Sequence, residues 1–203
     1  LDAYNGTILW ARQNPTMRRA NLPRDCSNMV ASDDLLYVAI DDSCIGFDAA
    51  TGDVAVALPV HEAAQLPAHD RARWGYVAAV GERLIGSAVP SGAQYFGDDG
   101  EWYEDFEEDV VGRVESTVLF AIDRHSGDRL WRYQRGAVMN STITIADGTV
   151  YFIESRQQHS AGAAARRPLE ATLRDQYLVA LDVESGQVRW EKPSDFSPCQ
   201  FMT

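Results

Sequence analysis

Basic side chains are scarce in this sequence. Lysine and arginine total 18 against 30 aspartates and glutamates in 203 residues, a formal net charge of −12. That balance excludes a polyanion partner, because nucleic-acid affinity comes from cations that neutralise phosphates. It argues equally against an anionic membrane surface. Cysteine is rarer still. Cys26, Cys44 and Cys199 are too few and too scattered for a disulfide framework, and no pair has Cys-x-x-Cys spacing. One bridge is compatible with the count, so the redox compartment stays open. No apolar run approaches the ~18 residues that a bilayer-crossing helix requires. Also missing are a basic segment followed by an apolar one at the N-terminus, a glycine-rich phosphate loop, a Gly-x-Ser-x-Gly elbow and any Ser/His/Asp grouping. Leu1 already falls inside a repeat, and the final stretch "FSPCQFMT" resembles the start of a strand, so the sequence reads as a piece of something longer.

What is present is periodic. The stretches "LDAYNGTILW", "IGFDAATGDVAVAL", "LFAIDRHSGDRLW" and "LVALDVESGQVRW" align on Asp2, Asp48, Asp123 and Asp182. A glycine follows each aspartate by four residues, at Gly6, Gly52, Gly127 and Gly186, and four further on stand Trp10, Val56, Trp131 and Trp190. Such self-similarity marks a repeat architecture. An apolar strand precedes each aspartate and a second follows each glycine. The aspartate can accept hydrogen bonds from the backbone just ahead of it, and glycine takes the φ > 0 position of a tight turn. Two more strands per unit lie upstream: "SNMVASD" and "LLYVAID", "YVAAV" and "RLIGSAV", "STITIAD" and "TVYFIES". Four short antiparallel strands per unit predict an all-β fold of β-propeller blades. The tryptophan then has a structural task on the outermost strand, covering the neighbouring blade.

The Asp-x-x-x-Gly-x-x-x-Trp units resemble the repeat of the pyrroloquinoline-quinone (PQQ)-like β-propeller family, which includes quinoprotein alcohol dehydrogenases and an outer-membrane assembly lipoprotein. The resemblance covers nearly the whole chain. The second unit departs from it, since Val56 stands at the tryptophan position and implies weaker docking there. The expected organisation is the end of one blade at 1–10, whole blades at 27–60, 74–133 and 137–192, and the start of another at 196–203. General propellers close with four to eight blades, so this stretch forms an incomplete ring. Helix is expected only near 61–72 and 165–174.

The glycines are 46, 75 and 59 residues apart, where a compact blade needs roughly 40–45. The excess falls at 91–116 and 155–175, both joining the second and third strands of a blade and therefore on one rim. Residues 98–109 hold eight carboxylates and no basic residue, interleaved with Trp102, Tyr103 and Phe106. Asp98, Asp99, Glu101, Trp102, Tyr103 and Glu104 form a candidate interaction loop for a basic protein partner, with the aromatics as anchors. Calcium is an alternative occupant, since hard cations take carboxylate oxygens, but the Asp-x-[Asp/Asn]-x-[Asp/Asn]-Gly pattern is absent. Arg156, Arg166, Arg167 and Arg174 in the second insertion are expected to pair with this acidic loop. His61, Glu62 and His69 do not have His-Glu-x-x-His spacing, and Pro67 breaks any helix that would align them.

Segments entering the innermost strands bring Arg24, Asp25, Trp74, Tyr76 and Asn140 toward the axis as a candidate central pocket, with inter-blade hydrogen bonding as their structural alternative. In the dehydrogenases that the resemblance brings in, the quinone lies between a tryptophan and a disulfide of adjacent cysteines, beside calcium. No two cysteines here are neighbours, and no calcium ligand of that family can be placed on this sequence. The expected function is a non-catalytic scaffold or ligand-binding domain, with no cofactor, whose cell-envelope or extracellular setting follows from the resemblance. A PQQ- and calcium-dependent dehydrogenase is the alternative.

Overall fold

A computed structural model of the chain describes residues 4–13, 28–67, 70, 72–90, 115–156 and 174–194. Three antiparallel sheets carry these residues. The first contains β1 (Met29–Ala31), β2 (Leu35–Ile40), β3 (Ser43–Asp48) and β4 (Val54–Pro59), hydrogen-bonded in chain order. One turn of helix, α1 (Val60–Ala63), leads out of it. The second sheet is built from β5 (Ala72–Val80), β6 (Arg83–Pro90), β8 (Val118–Asp123) and β9 (Arg129–Tyr133), again in chain order. The third contains β10 (Ala137–Met139), β11 (Thr144–Ala146), β12 (Thr149–Ser155), β13 (Gln176–Asp182) and β14 (Val188–Pro193). The two-residue strand β7 (Glu115–Ser116), just before β8 in the chain, pairs with β10 and so joins this third sheet.

Each sheet follows from alternation plus turn chemistry. In β6, Leu84 faces the first sheet and Ile85 the third; in β8, Phe120 and Ile122 face one way while Leu119 and Ala121 face the other. This is the period-2 pattern of a strand buried on both faces. Two cores result. Tyr37, Cys44, Leu58, Trp74, Leu84 and Phe120 fill the space between the first and second sheets. Tyr76, Ile85, Trp131, Tyr133, Phe152 and Leu181 fill that between the second and third. Burial of the Cys44 side chain in the first core pushes its thiol pKa far up. The outermost strands β4 and β14 stay largely exposed. Four-stranded antiparallel sheets packed face to face in this way are propeller blades, and among the described residues they do not close a ring.

Three details differ from the sequence reading. The helix expected over 61–72 is the single turn α1, and the stretch 165–173 lies outside the described residues. β5 begins at Ala72, four residues before the "YVAAV" read as its strand. The innermost strand of the third sheet starts at Ala137 and is interrupted by a 3-10 turn at Asn140–Thr142, where the Ile153 N–H donates to Thr142 Oγ1 (2.8 Å) instead of to a strand carbonyl. The interruption lets one inner strand make two separate pairings with β12.

Candidate functional site

The Asp-x-x-x-Gly turns share one hydrogen-bond pattern. Asp48 Oδ1 accepts the N–H groups of Ala50 (2.9 Å) and Thr51 (2.8 Å). Asp123 does the same for His125 and Ser126, and Asp182 for Glu184 and Ser185. These donors favour the ionised carboxylates and lower the pKa of all three; for Asp182 the larger cause is the Arg189 guanidinium. The glycine N–H closes each turn onto the aspartate carbonyl, and Gly52, Gly127 and Gly186 sit at φ +77°, +79° and +66°.

Absence of a side chain at these glycines matters for a second reason. A Cβ on Gly52 would stand 2.6 Å from Trp10 Cδ2, and one on Gly186 2.6 Å from Trp131 Cδ2. Each indole therefore lies against the turn of the following repeat, with its N–H donated across the gap: Trp10 Nε1 to the Ala49 carbonyl and Trp131 Nε1 to that of Val183, both at 2.9 Å. A small residue stands opposite on the neighbouring strand, Ala121 across from Trp131 and Ala180 across from Trp190. At the second repeat Val56 occupies the tryptophan register, opposite Gly46, and packs toward it. The seat at Gly127 is filled by Leu58, whose Cδ2 lies 2.9 Å from where a Cβ would be. Sequence reasoning missed Leu58, which nothing in the repeat alignment marks.

The candidate pocket residues that are described do not converge. At Trp74–Val77 two residues of β5, Gly75 and Tyr76, oppose the single Ser87 of β6, a β-bulge. It flips the alternation, so Trp74 joins the core facing the first sheet and Tyr76 the core facing the third. Trp74 Nε1 donates to the Tyr76 carbonyl (3.1 Å), and its ring meets Phe120 edge-on at 5.1 Å. Asn140 is buried in a small polar cluster instead. Ser116 Oγ donates to Asn140 Oδ1 (2.6 Å) and lies 2.8 Å from Ser87 Oγ, which accepts the Tyr76 N–H (2.8 Å). Asn140 Nδ2 sits against Gly75, whose added Cβ would be 2.7 Å away. The cluster thus holds the bulge against the neighbouring sheet. Arg24, Asp25 and Asp2 lie outside the described residues, as does the acidic loop with Asp98, Asp99, Glu101, Trp102, Tyr103 and Glu104.

A charged cluster that sequence reasoning missed lies at the β12 end leading into the second insertion. Glu154 is fully buried; its Oε1 accepts from Tyr133 Oη (2.9 Å) and from Arg156 Nε (2.6 Å). The Arg156 guanidinium also grips Glu191 (3.0 and 2.8 Å) and lies 4.0 Å over the Tyr177 ring. Arg156 thus pairs within its own sheet. The signal was available: one acidic residue directly after the run Val150–Ile153, with an arginine two residues later. Among the described residues no three His, Cys, Asp or Glu side chains come together as a metal group.

Residues 1–199 match the family described as the outer membrane protein assembly factor BamB. The chain belongs to that family. No curated protein matches it. Among solved structures, a europium-containing methanol dehydrogenase is 12% identical with a TM-score of 0.50, the overlap covering 83% of this chain and 32% of that one. A quinohemoprotein alcohol dehydrogenase from Comamonas testosteroni is 15% identical at a TM-score of 0.49, covering 81% and 26%. BamB from Moraxella catarrhalis is 14% identical at a TM-score of 0.37, covering 83% and 51%. The BamB-family chain thus spans a third or less of the two dehydrogenases. Identity this low makes the methanol dehydrogenase likeness one of fold alone, and the PQQ-like β-propeller is that fold.

Proposed function

We propose that this segment belongs to a non-catalytic propeller that docks protein partners, in or beyond the cell envelope. The observation that carries the reading is the match of residues 1–199 to a family named for an assembly factor. The packing supports it. Trp74 has its N–H bonded and its ring edge against Phe120, and Cys44 is buried in the same core. Both belong to the buried core between the first and second sheets, so neither is open to a quinone. Loops on rigid sheets are the usual seat of recognition, and residues 98–109, between β6 and β7 in the sequence, carry eight carboxylates. Their charge would set encounter rate, and Trp102 and Tyr103 would hold the partner once docked.

The experiment compares capture of cell-envelope proteins by the intact chain and by the variant Asp98→Asn/Asp99→Asn/Glu101→Gln/Glu104→Gln. Slower association and a flatter salt dependence are expected for the variant. Equal capture by both removes the loop from the reading. Dye-linked alcohol oxidation after incubation with PQQ and calcium would overturn the non-catalytic assignment.

A further inference from the structure

The two seams between the three sheets are fastened differently. Across the second seam, between the second and third sheets, the links are buried. Glu115 and Ser116, almost continuous with β8, pair as a strand with β10. Ser116 Oγ donates to Asn140 Oδ1, Tyr133 Oη to Glu154 Oε1, and Trp131 Nε1 to the Val183 carbonyl. Ser116 and Glu154 are fully buried, and Trp131 is 6% exposed. Arg83 and Glu184 add one exposed ion pair at the turn end. Across the first seam Leu58 takes the place of the indole at the Gly127 turn, and an apolar side chain donates no hydrogen bond there. The Trp74 N–H donates to the Asp41 carbonyl (2.7 Å) at the end where β2 turns into β3. At the opposite end the Arg124 guanidinium, from the turn between β8 and β9, reaches Asp34 and Ser32 in the turn between β1 and β2. The Arg124 carbonyl accepts from Tyr37 Oη (3.0 Å). Asp34 and Glu82, the carboxylates on this guanidinium, have side chains 47% and 69% exposed. Between the two ends apolar side chains fill the seam, Cys44, Leu84 and Phe120 among them.

We propose that the first seam is the joint at which this segment opens. The first sheet parts from the second when the Arg124 latch is released, while the second and third sheets move as one body. Salt weakens an ion pair whose carboxylate faces water and leaves buried hydrogen bonds in place. Openings short of global unfolding follow such supersecondary units, and they begin where the links are fewest and most exposed. Cys44 reports the opening, because its thiol is buried on the face of β3 that meets the second sheet. The joint is independent of what the acidic loop binds.

Thiol labelling of the 203-residue chain tests it, in a Cys26→Ser/Cys199→Ser background that leaves Cys44 as the one thiol. Global unfolding is followed in parallel by circular dichroism in urea. Cys44 should be labelled faster than global unfolding permits, at a rate nearly independent of urea below the unfolding transition. Raising the salt to about 1 M should accelerate labelling about threefold. Arg124→Gln should accelerate it about tenfold and abolish the response to salt. Trp131→Ala, which loosens the second seam, should lower global stability and leave Cys44 labelling at its original rate. If Arg124→Gln does not fold, the salt series and Trp131→Ala still decide. Labelling that tracks global unfolding, a rate indifferent to salt, or equal acceleration by Trp131→Ala and Arg124→Gln would overturn the inference.

Discussion

Gly186→Ala tests the double demand on the turn glycine. An alanine here meets two obstacles: φ of +66°, and a Cβ 2.6 Å from Trp131 Cδ2. Gly81 separates them, because it has φ +57° and nothing described within 4 Å of a Cβ. Gly81→Ala should therefore carry only the left-handed cost, about 1 kcal/mol. Gly186→Ala adds the displacement of a rigid indole tethered by its N–H to the Val183 carbonyl. Overpacking of that kind costs about 1–3 kcal/mol, for a total near 3 kcal/mol. With a urea dependence of about 2 kcal/mol per molar, midpoints should fall by roughly 0.5 M and 1.5 M, at unchanged slope. In a Trp131→Ala background the clash is gone, and Gly186→Ala should shrink to the Gly81→Ala value, a coupling of about 2 kcal/mol. Equal midpoints for Gly81→Ala and Gly186→Ala, or strict additivity with Trp131→Ala, would refute the reasoning.

Acid should destabilise the fold in a defined window. Asp34 is held down from 3.8 to about 2, chiefly by the Arg124 guanidinium, and Asp48 and Asp123 are lowered by their turn N–H groups. Depressed folded values mean a contribution that is complete above the unfolded value and is lost as pH falls through the folded one. The urea midpoint should thus decline from about pH 4 toward pH 2, less steeply in Asp34→Asn; a midpoint that rises on acidification contradicts this. Arg156→Met should destabilise by about 3–5 kcal/mol, because the buried Glu154 carboxyl loses the guanidinium that pairs with it. Exchanging both, as Glu154→Leu/Arg156→Met, should recover much of that loss in thermal unfolding, and a double variant worse than the single would count against the pairing.

How much of this could be read in advance depended on whether a feature repeats. The turn aspartates and glycines were legible because backbone donors and positive φ restrict those positions to very few residue types. Trp131 was legible with them. Leu58 was not, because any apolar side chain of adequate reach can fill a seat and the alignment points to Val56. The bulge at Gly75–Tyr76 was only half visible. A glycine within a strand hints at one, but its effect is to send Trp74 and Tyr76 into different cores, away from the shared central pocket expected of them. Asn140 followed the same course: the interruption that buries it comes from a tertiary bond, Thr142 to Ile153, that no local pattern announces. Glu154 was passed over because a charge inside an apolar strand acquires meaning only when Tyr133, from the neighbouring sheet, is seen to reach it.

β7 gives the first insertion an unusual mooring. Directly after residue 114 the chain pairs Glu115 and Ser116 with Met139 and Val138 of the third sheet, and one residue later the Thr117 N–H donates to the Ala88 carbonyl of the second. The exit of the loop is therefore stitched to both sheets at once, across the seam that Asn140 fills. A pull applied anywhere along 91–114 would be felt as shear between two blades, where a loop rooted in one blade would merely tug on a hairpin. Whatever grips that loop gains leverage over the spacing of the second and third sheets.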